Sequence, residues 1–65
     1  MQRVALAKFV RQKLGMTQEA FATAYDIPLD VLRAWERHET EPSAVELAYL
    51  RAIEQAPDAV RKVPA

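Results

Sequence analysis

Apolar residues recur along the chain at the three- and four-residue spacing that is typical of amphipathic helices. The first predicted helix covers about residues 3–14, and its apolar stripe consists of Leu6, Ala7, Val10 and Leu14. Gly15 follows this stripe and favours the left-handed turn with which helices commonly end. We therefore expect the chain to reverse there and Met16 to return to the core.

A second helix is predicted after Thr17, whose hydroxyl can accept a backbone N–H at the start of a helix. It continues to about residue 25 and ends at Asp26, a residue type that tolerates the left-handed conformation of a turn. Pro28 cannot continue a helix, but its fixed φ suits the first position of a new one. The turn is therefore expected at residues 26–27, with a third helix opening at Pro28 and spanning about residues 29–37.

The third predicted helix has two distinct sides. Leu32 and Trp35 face inward at a spacing of three residues. The outward positions of its N-terminal half are Leu29, Asp30, Arg33 and Ala34. Two short helices joined by a tight turn in this way are typical of a helix-turn-helix, in which the second helix is offered to the major groove of DNA.

A fourth helix is predicted after Ser43, because Ser43 and Glu46 have the spacing of a complete capping box. It runs to about residue 55, and its buried row consists of Leu47, Leu50 and Ile53. Pro57 ends it and can begin one further helical turn, whereas residues 62–65 are expected to fray. All 65 residues are therefore expected to form a single compact all-α domain, a bundle of four to five helices.

The composition agrees with a helical fold and argues against several kinds of site. Alanine, the best helix former, is the most frequent residue. There is no cysteine and one histidine, His38, so neither a disulfide nor a metal site is predicted. No nucleophile has an evident base beside it, so we expect no enzyme, no catalytic residue and no cofactor. Without a signal peptide or a run of roughly 20 apolar residues, we expect a cytoplasmic protein with no membrane partner.

Charge is distributed unevenly along the chain, although the net charge is zero and argues mildly against nucleic acid. Residues 1–18 carry four basic side chains and no acid, whereas residues 19–58 carry nine acids against three arginines. A basic first helix can lie along phosphates while the acidic part faces away from them. The simpler alternative is that the basic side chains of the first helix form a face that contacts only solvent.

The run LGMTQEAFATAYDIPLDVLRAWERHETEPS, residues 14–43, resembles the phage-repressor-like helix-turn-helix family, also called the XRE or Cro family. The shared pattern is Leu-Gly-x-Thr-Gln-Glu before the second helix, Phe-Ala within it, and Trp-Glu followed by Pro-Ser after the third. The resemblance covers about residues 4–56. The later segment ELAYLRAIEQAPDAVRKV, residues 46–63, is similar to the end of the helix-turn-helix domain in antidote proteins of bacterial toxin–antitoxin pairs.

This resemblance implies a lambda-repressor-like bundle that binds double-stranded operator DNA as a homodimer and regulates transcription in a bacterial or phage nucleoid. The positions that match base contacts are Pro28, Leu29, Asp30 and Arg33. The side chains expected to meet phosphates are Gln18, Thr17, Lys8, Lys13, Arg37 and His38. Arg11 and Glu36 match an ion pair that ties the first helix to the end of the third.

Several positions depart from the family pattern. Asp26 and His38 stand where relatives usually have glycine, and Glu39 and Glu41 occupy a loop that often carries basic residues. Two carboxylates beside a phosphate backbone weaken DNA binding. An alternative function is therefore a protein-interaction module, such as an antitoxin that binds a toxin or dimerises with weak DNA binding.

Structural explanations also exist for single residues. Arg33 can bond a guanine, or it can pair along its own helix with Asp30 or Glu36. Asp30 can accept from a cytosine amino group, although an acid favoured by the helix dipole is the simpler interpretation. Trp35 is interpreted as a core residue and not as a stacking platform. Off-stripe aromatic residues that are candidate partner contacts are Phe9 and Tyr49.

Overall fold

The computed structural model describes residues 4–62, and this part of the chain contains five helices and no strand. The helices are α1 (Leu6–Lys13), α2 (Gln18–Tyr25), α3 (Leu29–Glu36), α4 (Ala44–Gln55) and α5 (Pro57–Val60). The predicted all-α bundle is confirmed. Within residues 4–62, none of the helices has the length and apolar character needed to cross a membrane.

The first helix starts later than the sequence pattern predicts. α1 begins at Leu6 and not near residue 3, and Arg3 lies outside the described residues. Ala5 precedes the helix in an extended conformation and offers no capping side chain, and the first turn contains no acid. Neither Val4 nor Ala5, the two described residues before α1, has a side chain that could cap an earlier helix start. The end of α1 agrees with the prediction, because Gly15 is left-handed with a φ of 69°.

The turn between α2 and α3 forms at the predicted residues. The hydroxyl of Thr17 accepts the N–H of Ala20 at 3.0 Å and caps α2. Asp26 ends α2 in the left-handed conformation, with φ 55° and ψ 46°. Pro28 differs from the prediction by one position, because its ψ of 132° is extended and makes it the residue before α3. α3 therefore begins at Leu29.

The core lies between the first four helices. Phe21 and Tyr25 of α2 pack with their ring centroids 5.0 Å apart and an interplanar angle of 48°. The predicted inward side of α3 is confirmed, whereas Leu47 of α4 is only half-buried. The buried residues are Ala7, Val10, Phe21, Ala22, Ala24, Tyr25, Ile27, Leu32, Trp35, Leu50 and Ile53.

The C-terminal helices are fastened to α2 by hydrogen bonds. The predicted capping box of α4 is confirmed, because Ser43 and Glu46 each accept the other's backbone N–H with a side-chain oxygen. Tyr49 is half-buried and donates its hydroxyl to the carbonyl of Tyr25 at 2.6 Å, so its one O–H donor is used within the bundle. Lys62 also donates its backbone N–H to Ala24, which corrects the expectation that it frays. The rest of that predicted tail, residues 63–65, lies outside the described residues.

Candidate nucleic-acid interface

α3 is anchored on one side and open on the other. Leu32 and Trp35 hold its inner side in the core, where both are buried. Of the predicted base-contacting residues, Pro28 and Asp30 are exposed, and the side chain of Arg33 is 42% exposed. Leu29 is half-buried because it also packs against the core. The surface that α3 offers to a partner is therefore polar, with one apolar residue at its start.

A bidentate ion pair connects α1 to the end of α3. Arg11 donates from Nε and Nη2 to the two carboxylate oxygens of Glu36, at 2.8 and 2.9 Å, and from Nη1 to the carbonyl of Met16 at 3.0 Å. Only 14% of the Arg11 side chain and 5% of the Glu36 side chain are exposed. These are the two residues that the family resemblance pairs.

The pair shifts the pKa of both partners. The hydrogen bond to Glu36 raises the pKa of Arg11. Burial alone raises the pKa of Glu36, but hydrogen bonds from Arg11 and Gln18 outweigh it and hold the pKa below its ordinary value. Glu36 is therefore a charged anchor that orients α3 relative to α1.

The hydrogen bonds continue from this pair to the exposed side of α3. Gln18 donates its amide to Glu36 at 3.1 Å and accepts from Nε of Arg33 at 3.3 Å. Arg33 also donates from Nη2 to the carboxylate of Glu19 at 3.2 Å. We call this set of five residues, Arg11, Glu36, Gln18, Arg33 and Glu19, the polar network.

The polar network corrects one expectation about Arg33. The pairing of Arg33 with Asp30 or Glu36 along its own helix is wrong, because its hydrogen-bond partners lie on α2. Helical spacing shows which residues share one helix face, but it does not show which side chains of a neighbouring helix come close. Glu19 is the residue that sequence reasoning missed. Its place in the first turn of α2 is visible in the sequence, but its contact with Arg33 on α3 is not.

The side chains expected to meet phosphates lie at three places on the surface. Lys8 and Lys13 are on α1, where Lys13 pairs with Glu54 at 3.4 Å and lies 6.0 Å above the ring of Phe9. Thr17 and Gln18 are at the start of α2, and the hydroxyl of Thr17 is already used as a cap. The third place is the end of α3, where Arg37 and His38 are both exposed.

The end of α3 also carries the acidic loop. Arg37 lies 3.8 Å from the carboxylate of Glu39, so part of its positive charge is compensated within the protein. His38 adopts a φ of 59°, the left-handed conformation that glycine adopts without strain. Asp26 does the same in the turn before α3. Both departures from the family pattern therefore keep the backbone conformation that a glycine would give.

Within residues 4–62, no three histidine, cysteine, aspartate or glutamate side chains are grouped in a way that could hold a metal ion.

Comparisons with known proteins agree with this geometry. Residues 8–58 match a family model described as helix-turn-helix. Among solved structures, the chain is similar to the crystal structure of an HTH XRE-family like protein from Agrobacterium tumefaciens, with 39% identity and a TM-score of 0.85. The match covers 86% of this chain and 90% of that chain. No curated protein matches the chain significantly.

Proposed function

Since the chain belongs to the XRE-type helix-turn-helix family of DNA-binding regulators, we propose that it binds a palindromic operator as a homodimer. In this proposal α3 enters the major groove and α2 crosses the phosphate backbone. The 65 residues act as one DNA-binding domain, at the nucleoid of a bacterium or phage. No catalytic role is assigned to any residue.

The observation that carries this proposal is the two-sided character of α3. Its apolar side is fixed in the core by Leu32 and Trp35, so the opposite side is presented on a rigid support. α3 has eight residues and is about 12 Å long, and a major groove about 12 Å wide admits a helix of this kind. Asp30 and Arg37 are exposed, and Arg33 is half-buried with 42% of its side chain exposed.

The side chains at the start of α3 have the chemistry for reading base edges. The guanidinium of Arg33 can donate two parallel hydrogen bonds to O6 and N7 of guanine. Asp30 can accept from the amino group of cytosine, and Leu29 and Pro28 can contact the methyl group of thymine. We assign the main base contact to Arg33 because it alone among these residues offers a bidentate donor.

Phosphate contacts are proposed around the start of α2 and on either side of it. The free backbone N–H groups of a helix N-terminus attract phosphate, and Thr17 and Gln18 lie at that end of α2. A glutamine amide has two N–H groups, and Gln18 gives one to Glu36, so the second can reach a phosphate without breaking the polar network. The cationic side chains proposed to flank the backbone are Lys8, Lys13, Arg37 and His38.

A footprint on the DNA upstream of the chain's own gene tests the proposal. We expect protection of two half-sites whose centres lie about 34 Å apart, because a two-fold dimer reads successive major grooves on one face of the duplex. The affinity should fall steeply between 50 and 200 mM salt. The slope of the logarithm of the affinity against the logarithm of the salt concentration should be roughly proportional to the number of phosphates contacted. Protection without a defined sequence, or no protection at any salt concentration, would contradict the proposal.

A second candidate function is supported by a different part of the surface. Glu39 and Glu41 are exposed in the loop after α3, and the apolar side chains of Val4, Phe9 and Val45 are exposed as well. These features suit an antitoxin that binds a toxin and has weak affinity for DNA. Co-expression with the product of a neighbouring toxin-like gene distinguishes the two functions. A stable complex without any footprint would favour the antitoxin, whereas a footprint by the isolated chain favours the regulator.

A further inference from the structure

Glu19 and Gln18 occupy one edge of the Arg33 guanidinium and leave the other edge free. An arginine presents two flat edges to acceptors, one formed by Nε and Nη2 and the other by Nη1 and Nη2. Gln18 accepts from Nε at 3.3 Å and Glu19 accepts from Nη2 at 3.2 Å, so both lie on the first edge. No acceptor within residues 4–62 hydrogen-bonds to Nη1. The terminal edge is therefore available for a ligand.

We propose that Glu19 is a specificity-determining residue that acts through Arg33 by holding its terminal edge in position for a guanine. This inference rests on the proposed function. A guanine offers O6 and N7 as two adjacent acceptors, which match two parallel N–H groups on one guanidinium edge. Because Glu19 is on α2, it restrains Arg33 from outside α3. Arg33 therefore has fewer rotamers in the free protein, and its binding to DNA costs less side-chain entropy.

The charge of Glu19 has an effect on DNA affinity that is separate from the effect of its hydrogen bond. Its side chain is 66% exposed in the first turn of α2, close to the proposed phosphate contacts. A carboxylate at this place repels the phosphates of every sequence equally and offsets part of the charge of Arg33. Glu19 should therefore lower the affinity for arbitrary DNA while it supports the contact with guanine. The repulsion lowers specific and non-specific affinity by the same factor, so the hydrogen bond to Arg33 is what raises the ratio of the two.

Two substitutions at the same position separate the hydrogen bond from the charge. Glu19→Gln and Glu19→Met both remove the negative charge and both keep a long side chain of good helix propensity. Glutamine retains an oxygen that can accept from Arg33, whereas the methionine sulfur accepts only weakly. The matched control is Glu39→Gln, which removes an exposed carboxylate that pairs with Arg37 at 3.8 Å and has no hydrogen bond to Arg33.

The probe is DNA selected by the protein itself. The parent chain selects binding sites from a library of random duplexes, and the Arg33→Ala variant identifies the base pair whose preference it loses. The dissociation constant of each variant is then measured for the selected site, for the site with that guanine replaced, and for a scrambled duplex. Circular dichroism melts establish that each variant is folded.

We expect Glu19→Met to lower the discrimination for that guanine by about threefold, because one restrained side chain becomes free. The discrimination by Glu19→Gln should lie between that of the parent and that of the methionine variant. Glu39→Gln should leave the discrimination unchanged. All three variants should bind the scrambled duplex more tightly than the parent does. In free protein, the Nη2–H groups of Arg33 should exchange with water faster in Glu19→Met than in the parent.

The outcomes distinguish this inference from the function on which it rests. Equal guanine discrimination by the parent and Glu19→Met would overturn the role of Glu19 while leaving the regulator intact. Higher discrimination in Glu19→Met would also overturn it, because Glu19 would then compete with the base for Arg33. If the parent enriches no sequence from the library, the proposed function fails and the role of Glu19 fails with it.

Discussion

At the scale of the residue, the polar network connects the ion pair between α1 and α3 to the side chain that is proposed to contact a base. Glu36 has a nearly buried carboxylate that accepts from both Arg11 and Gln18. Arg33, at the other end, keeps an exposed side chain and free N–H groups. Gln18 connects them because an amide can donate and accept at once. The orientation of the proposed base-reading side chain thus depends on a chain of hydrogen bonds that starts in α1.

Arg33→Ala tests the exposed end of the network. We expect the variant to lose about tenfold in discrimination at one base pair of each half-site, because a bidentate contact to guanine is removed. Gln18→Ala should weaken binding to every sequence, since it removes a phosphate contact, and should also lower the discrimination, since it removes the acceptor of Arg33 Nε. Fluorescence anisotropy with the selected site and its single-base variants measures both effects. If Arg33→Ala keeps the parent's ratio of specific to scrambled affinity, Arg33 does not read the site.

Arg11→Met tests the buried end. Removing one partner leaves the carboxylate of Glu36 nearly buried without its cation, so we expect a loss of roughly 3 kcal/mol in the free energy of unfolding. The double variant Arg11→Met/Glu36→Leu should recover a large part of that loss, because no unpaired charge remains. Urea unfolding of the two variants and the parent provides the comparison. A single variant as stable as the double one would show that the pair is not buried in solution.

The stability of the parent should also depend on pH through Glu36. Its pKa in the folded protein is lowered from 4.5 by the hydrogen bonds of Arg11 and Gln18, which outweigh the effect of burial. The stabilisation is therefore present above the unfolded pKa and is lost as the pH falls through the lowered, folded pKa. Urea midpoints measured between pH 6 and pH 3 should fall more for the parent than for Glu36→Gln. Parallel curves for the two proteins would contradict this role of Glu36.

At the scale of the element, the helix ends were predictable where a side chain or a special φ defines them. Gly15, Thr17, Asp26 and the capping box at Ser43 all place a boundary where the structure has it. The start of α1 was not predictable, because no capping residue marks it. Side-chain contacts between different helices were not predictable from the sequence pattern either. The approach of Arg33 to Glu19 depends on how α2 and α3 pack, which the spacing within one helix does not encode.

The left-handed residue after α3 gives a test at this scale. His38 has a φ of 59°, so His38→Gly should relieve backbone strain and stabilise the free protein by about 0.5–1 kcal/mol. The neighbouring control is Arg37→Gly. Arg37 has a φ of −92°, and glycine there should destabilise the protein because it only adds freedom to the unfolded chain. Thermal melts at equal protein concentration compare them. A lower melting temperature for His38→Gly would contradict the explanation.

At the scale of the whole molecule, the proposed DNA-binding groups lie on α1, around α2 and on α3 with the residues directly after it. Lys8 and Lys13 lie on α1, and the acidic loop with Glu39 and Glu41 follows α3. A zero net charge is compatible with DNA binding in this arrangement because the cations are concentrated on particular elements. The fold and its family followed from the sequence. The dimer surface did not, because the exposed side chains of Phe9 and Val45 carry no information about what covers them.

The central claim is that α3 reads guanine in the major groove through Arg33, and methylation interference tests it most directly. Methylation of guanine at N7 blocks one of the two acceptors that a bidentate arginine needs in that groove. We predict that one methylated guanine in each half-site prevents binding by the parent and has no effect on the residual binding of Arg33→Ala. Binding by the parent that is unaffected by N7 methylation at every guanine of the protected region would contradict the account.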